Sequence, residues 1–111
     1  MLNYEISNQE LKELLAQDGR AGRVLLDVRE PWEYEEARIE GSMLMPMGDV
    51  RSRAHQELDP EAHIIAICHH GARSMSVTAW LREQGFEQAQ SLRGGIDAWS
   101  VEIDSSVPRY A

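Results

Sequence analysis

The stretch His63-Ile64-Ile65-Ala66-Ile67-Cys68-His69-His70-Gly71-Ala72-Arg73-Ser74 decides the fold. Five residues, apolar and mostly β-branched after His63, form a run too short for a helix, as expected of a strand buried on both faces. Cys68 to Arg73 follows as a tight loop around Gly71. Ser74 to Gln84 is predicted to be a helix, with Val77, Trp80, Leu81 and Gln84 on one side and Gly85 at its C-terminal cap. A strand running through a short loop into a helix is the repeating unit of an α/β fold.

Working outward, the same alternation recurs. Ser7-Asn8-Gln9-Glu10 is a capping-box pattern that starts a helix carrying Leu11, Leu14 and Leu15, ended by Asp18 to Gly22. Val24 to Val28 is a second buried strand. Glu30-Pro31-Trp32-Glu33 forms a turn or short helix with Pro31 near its first position. Gly41-Ser42 leads into a strand at Met43 to Met45, stopped by Pro46. Asp49 to Leu58 is expected to be a surface helix whose charges make a solvated face. Gln88 to Leu92 is a last strand, Gly94-Gly95 a turn, and Ile96 to Val101 a final helix. The fold class is therefore α/β, with a mainly parallel sheet and helices on both faces. In such sheets ligands bind beyond the carboxyl ends of the strands. Those ends bring together Asp27-Val28-Arg29, the Cys68 loop and Arg93-Gly94-Gly95.

With 111 residues the chain makes one domain, with residues 1–104 as its core and 105–111 as a C-terminal tail. The start, Met1-Leu2-Asn3-Tyr4-Glu5, has no basic segment followed by an apolar run, and Ile64 to Cys68 is too short to span a bilayer. A soluble protein of the cytoplasm, without membrane contact, is expected. The net charge of −8 comes from 19 acidic against 11 basic residues. It argues against nucleic-acid binding and requires any anion site to be locally positive. The single cysteine excludes an internal disulfide and a multi-cysteine zinc site.

A lone cysteine is most often inert packing. Here its surroundings favour chemistry. A tight loop closing on a helix N-terminus turns several N–H groups inward and adds the positive end of the helix dipole. A thiol at its base is expected to ionise more readily than a free one. Gly71 supplies positive φ or close approach. Arg73 can hold a sulfonate-like oxyanion with two parallel hydrogen bonds. His69 and His70 diverge in a tight loop and would need ligands from elsewhere, so no metal is expected. They shape the loop mouth instead. Trp80 and Trp99 are expected in the core, and Trp32 at the core or at the pocket mouth.

Three segments together resemble the rhodanese superfamily. Asp27-Val28-Arg29-Glu30-Pro31-Trp32-Glu33-Tyr34, followed by Ile39-Glu40-Gly41-Ser42 and Pro46, is similar to its D-V-R-x-x-x-E-[FY] stretch, which leads to I-x-G-A and a proline. Cys68 to Ser74 is similar to the C-x-x-G-x-R-S loop. Leu92 to Trp99 is similar to the G-G-x-x-A-W signature. The resemblance implies a five-stranded parallel sheet and a sulfurtransferase that needs neither metal nor organic cofactor. Cys68 would be the nucleophile that takes sulfur from a small anionic donor and holds it as a persulfide. His69, His70, Gly71, Ala72 and Arg73 would bind the substrate, and Asp27 and Arg29 would form a buried pair supporting the loop. Thiosulfate-preferring members tend to carry Arg or Lys just after the cysteine, where this chain has His69. The donor therefore stays open between thiosulfate and a persulfide or polysulfide. With no second thiol, the acceptor is cyanide, an external thiol or a sulfur-relay protein. Two other readings compete. A non-catalytic partner-binding module commonly lacks the cysteine. A cysteine phosphatase has five residues between Cys and Arg, where only four stand here.

Overall fold

A computed structural model describes residues 2–18 and 22–110. The chain folds as β1 (Glu5–Ile6), α1 (Asn8–Asp18), β2 (Arg23–Asp27), α2 (Pro31–Glu36), β3 (Met43–Leu44), a 3₁₀ turn (Met47–Asp49), α3 (Val50–Glu57), β4 (His63–Ile67), α4 (Ala72–Glu83), β5 (Gln90–Leu92) and α5 (Gly95–Glu102). The five strands form one sheet in the order β1-β5-β4-β2-β3, and every neighbouring pair is parallel. This is the α/β architecture expected.

The central position of β4 explains its unbroken apolar run. Alternate side chains of a strand point to opposite faces, and both faces are covered here. Ile64, Ala66 and Cys68 pack with Val50, Ala54, Val77, Leu81 and Phe86 of the α3 and α4 side. Ile65 and Ile67 pack with Leu11, Leu92, Ile96 and Trp99 of the α1 and α5 side. Parity thus sends the Cys68 side chain toward α4.

Local signals behave as their chemistry demands. The Glu10 N–H donates to Ser7 Oγ at 3.1 Å and the Ser7 N–H to Glu10 Oε1 at 3.0 Å, closing the capping box of α1. That helix runs to Asp18; of the stop expected there, 19–21 lie outside the described residues and Gly22 takes φ +68°. Pro31 opens α2, and Gly85 takes φ +99° just beyond α4. The expected surface helix is α3, Val50–Glu57, with Asp49 ending the 3₁₀ turn before it. Trp99 is buried, Trp80 is packed against the α3 and α4 core, and Trp32 is exposed.

Two departures bear on the site. Helix α4 starts at Ala72 rather than Ser74, because Gly71 at φ +116° ends the loop and Ala72 and Arg73 already belong to the first turn. Residues 105–110, set aside as a tail, lie against the domain, with Val107 in the α1 and α5 core. Residue 111 lies outside the described residues. Among the described residues no helix is long and apolar enough to cross a membrane.

Candidate active site

The carboxyl ends of β2, β4 and β5 converge on Cys68. Cys68 is 1% exposed, with its sulfur at the closed end of the loop. Gly71 donates its N–H to Sγ at 3.0 Å and Ser74 donates its N–H at 3.3 Å. The second donor exists because α4 starts early: the first-turn N–H groups of a helix have no partner within it. The Ser74 hydroxyl lies 3.4 Å from Sγ and 2.7 Å from the Ser91 hydroxyl on β5. The Cys68 thiol donates to the Ser74 hydroxyl, which donates in turn to the Gly71 carbonyl at 3.2 Å. Ser74 closes the quoted C-x-x-G-x-R-S motif without an assigned role, and Ser91 stands outside every motif. Ser74 follows the loop directly, so the position after Arg73 was the available signal; Ser91 had none.

The loop is pinned from behind by the turn after β5. Ile96 donates its N–H to the Cys68 carbonyl at 2.8 Å and Asp97 donates to the His69 carbonyl at 3.1 Å. Gly95 makes this approach possible, at φ +64°.

Arg73 was expected to hold an oxyanion. In the structure its fork is occupied: Nη1 and Nη2 donate to the two carboxylate oxygens of Glu33 at 2.6 and 2.9 Å. Glu33 also accepts the Glu30 N–H at 3.0 Å and the Tyr110 hydroxyl at 2.7 Å. Arg73 first, helped by these other donors against the cost of burial, holds the Glu33 carboxyl down at about 2. Tyr110 is pushed up to about 12, chiefly by burial, so its phenol keeps its proton and can donate to Glu33.

Asp27 and Arg29 do form a buried pair, with Nε to Oδ1 at 2.8 Å and Nη2 to Oδ2 at 2.6 Å. Arg29 also donates to the Glu33 carbonyl at 3.2 Å, the Tyr110 hydroxyl at 2.9 Å and the Ala37 carbonyl. All five guanidinium N–H groups are therefore used. The pair reaches the loop through Glu33 and Tyr110, both of which the sequence reading left without a role. Glu33 stood inside the quoted motif; Tyr110 stood in the presumed tail.

His69 stacks between Tyr110 and His70, with ring centroids 4.2 and 4.1 Å away. Burial, then His70 and Arg29, lower its pKa, while Asp97 and Glu33 oppose them. His70 is exposed, and the Ala72 side chain is exposed on the first turn of α4. A groove of about 420 Å³ lined by Met47, Val50, Arg51, Ser76, Val77 and Trp80 lies beside the site, and Cys68 does not line it.

The Glu33 cluster makes stability pH-dependent in a defined direction. A carboxyl whose pKa falls from an ordinary 4.5 to about 2 on folding stabilises the native state above pH 4.5. This contribution, about 3 kcal/mol, is lost as pH falls from 4.5 towards 2. Denaturant unfolding across this range should show a stability slope that Glu33→Gln flattens; equal slopes in the two proteins would refute the assignment.

Comparison with known proteins bears on what this site is for. The rhodanese-like domain family matches residues 7–102. The chain is 39% identical over 89 residues to the Rhodanese-like/PpiC domain-containing protein 12, chloroplastic, of Arabidopsis thaliana, an alignment covering 78% of this chain but only 30% of that longer relative. It is 32% identical over 106 residues to the thiosulfate sulfurtransferase GlpE of Coxiella burnetii, covering 96% of this chain and 95% of the relative. Among solved structures, a rhodanese-related protein from Thermoplasma volcanium superposes with a TM-score of 0.80 at 28% identity, over 91% of this chain and 94% of that one.

Proposed function

This chain belongs to the rhodanese-like domain family, and we propose that it is a sulfurtransferase that carries sulfane sulfur as a persulfide on Cys68. The observation that supports this reading most is the cradle around Sγ. A sulfur anion at the base of a short loop, facing the N–H groups of Gly71 and Ser74, is the arrangement a thiolate nucleophile and a terminal persulfide both require. The relative named as a thiosulfate sulfurtransferase supports the same chemistry.

In the proposed cycle the Cys68 thiolate attacks the outer sulfur of the donor. A new S–S bond forms, the donor's S–S bond breaks, and sulfite or the donor thiolate leaves with the electron pair. The terminal sulfur anion then lies among the inward N–H groups of the loop, with His69, His70, Gly71, Ala72 and Arg73 lining the approach. An acceptor thiolate or cyanide attacks that sulfur and leaves Cys68 as thiolate. No metal or organic cofactor takes part. Asp27 and Arg29 support the loop from beneath. Because Cys68 is the chain's one cysteine, the acceptor is external: a low-molecular-weight thiol, cyanide or a sulfur-relay protein. A free thiolate nucleophile fits a reducing compartment such as the cytoplasm. Arg73 is already neutralised by Glu33, so a dianion gains less at this mouth than beside an unpaired cation. That favours a singly charged persulfide donor over thiosulfate.

Intact mass after incubation with thiosulfate, and separately with a polysulfide, tests the reading. The expected result is a gain of one sulfur, removed by a thiol and absent in Cys68→Ala. Folded protein that gains no sulfur from either donor would overturn it.

A further inference from the structure

The family match ends at residue 102, yet the chain beyond it returns to the cysteine loop. Two attachments carry it there. Val107 is buried in the α1 and α5 core, and its carbonyl accepts the Ser100 hydroxyl. Arg109 forks onto Asp97, with Nε and Nη2 at 2.9 and 3.0 Å from the two carboxylate oxygens. Together they deliver Tyr110 to the mouth of the site.

The two ends of the Tyr110 side chain do different things. Its hydroxyl accepts from Arg29 and donates to Glu33. Its ring lies nearly parallel to the His69 imidazole, with planes 14° apart and centroids 4.2 Å apart, while Trp32 meets its other side edge-on at 5.7 Å. His70 covers the second neighbour position of His69 at 4.1 Å and 26°. His69 is the residue directly after Cys68. Its backbone is held by the Asp97 N–H, but that bond leaves the side-chain torsions free. The flat faces of Tyr110 and His70 are what restrict the imidazole.

We propose that Tyr110 is a positioning residue of the cysteine loop: its ring holds His69 in one orientation at the mouth, so the surface that meets the sulfur donor is set from outside the family-matched segment. The kinetic consequence rests on the sulfurtransferase reading; the orientation of His69 does not. The ring carries this role, and the hydroxyl serves the Arg29 and Glu33 bonds.

Two conservative variants of the whole chain separate these parts. Tyr110→Phe keeps the flat ring and loses the hydroxyl. Tyr110→Leu keeps apolar bulk and loses the flat face. The first readout is the NMR titration of the His69 ring protons. Arg29 and Glu33 lose the same hydroxyl in both variants, so a midpoint that differs between the two reports the lost ring. The Tyr110→Phe protein should keep the lowered His69 midpoint of the parent, and Tyr110→Leu should move it up toward the ordinary histidine range. The second readout is kinetic. Tyr110→Leu should raise KM for the donor roughly two- to tenfold, the range an aromatic pair is worth, with kcat little changed and Tyr110→Phe close to the parent. The proposal is overturned if folded Tyr110→Leu leaves both the His69 midpoint and KM unchanged. It is equally overturned if Tyr110→Phe shifts His69 as far as Tyr110→Leu does. Sulfur transfer absent from the parent protein as well would count against the sulfurtransferase reading alone, and the titration would still decide the role of Tyr110.

Discussion

Gly95→Ala should destabilise the protein by about 3–5 kcal/mol and abolish sulfur loading at Cys68 at temperatures where the parent loads fully. Two effects add. The residue sits at φ +64°, a conformation that costs an alanine about 1–2 kcal/mol. A Cβ placed there would also lie 2.4 Å from the carbonyl oxygens of both Cys68 and His69. Those oxygens accept the Ile96 and Asp97 N–H groups, so the methyl cannot be accommodated without pulling the loop off its support. Gly22→Ala is the matched control. It has φ +68° and nothing within 4 Å of the added carbon, so it carries the conformational cost alone. Thermal unfolding should put Gly95→Ala roughly 10 °C or more below Gly22→Ala, given about 4–8 °C per kcal/mol for a domain of this size. Equal melting temperatures would mean that the turn after β5 does not buttress the cysteine loop.

The contrast between these two glycines shows how far the chain could be read in advance. The G-G pair was legible as a turn on the active edge, because positive φ leaves a residue-type signature. That the second glycine abuts the Cys68 carbonyl was not, since close approach leaves no mark beyond the glycine itself. Capping at Ser7 and Glu10, the buried run of β4 and the tight loop from Cys68 to Gly71 are local features, and local chemistry specifies them. The two-residue β1 has no such pattern; Glu5 and Ile6 are a strand because they pair with Ser91 and Leu92. The site divides the same way. Cys68, Gly71 and the helix start stood together in the sequence, whereas Glu33 meets Arg73 across 40 residues and Tyr110 meets Arg29 across 81. Residue types alone suggested that Arg73 faces the substrate. The buried Glu33 carboxylate redirects it, because a charge at that depth needs a partner.

The same rule makes Arg29 the most sensitive charged position. Arg29→Met removes five donors from a site with no exposure and leaves Asp27, two backbone carbonyls and the Tyr110 hydroxyl without them. Breaking one side of a buried pair typically costs about 3–5 kcal/mol, since the remaining charge is stranded. Arg29→Lys should recover only part of this, because one ammonium cannot reproduce a planar fork aimed at Asp27, Glu33, Ala37 and Tyr110 at once. The informative variant is the double one. If the cost of Arg29→Met lies in the stranded carboxylate, then Asp27→Asn combined with Arg29→Met should be more stable than Arg29→Met alone, although it departs further from the parent. Urea unfolding of the four proteins closes the cycle. A double variant less stable than the parent by the sum of the two single costs would show that the two side chains act independently. The pairing of Asp27 with Arg29 would then carry no coupling energy.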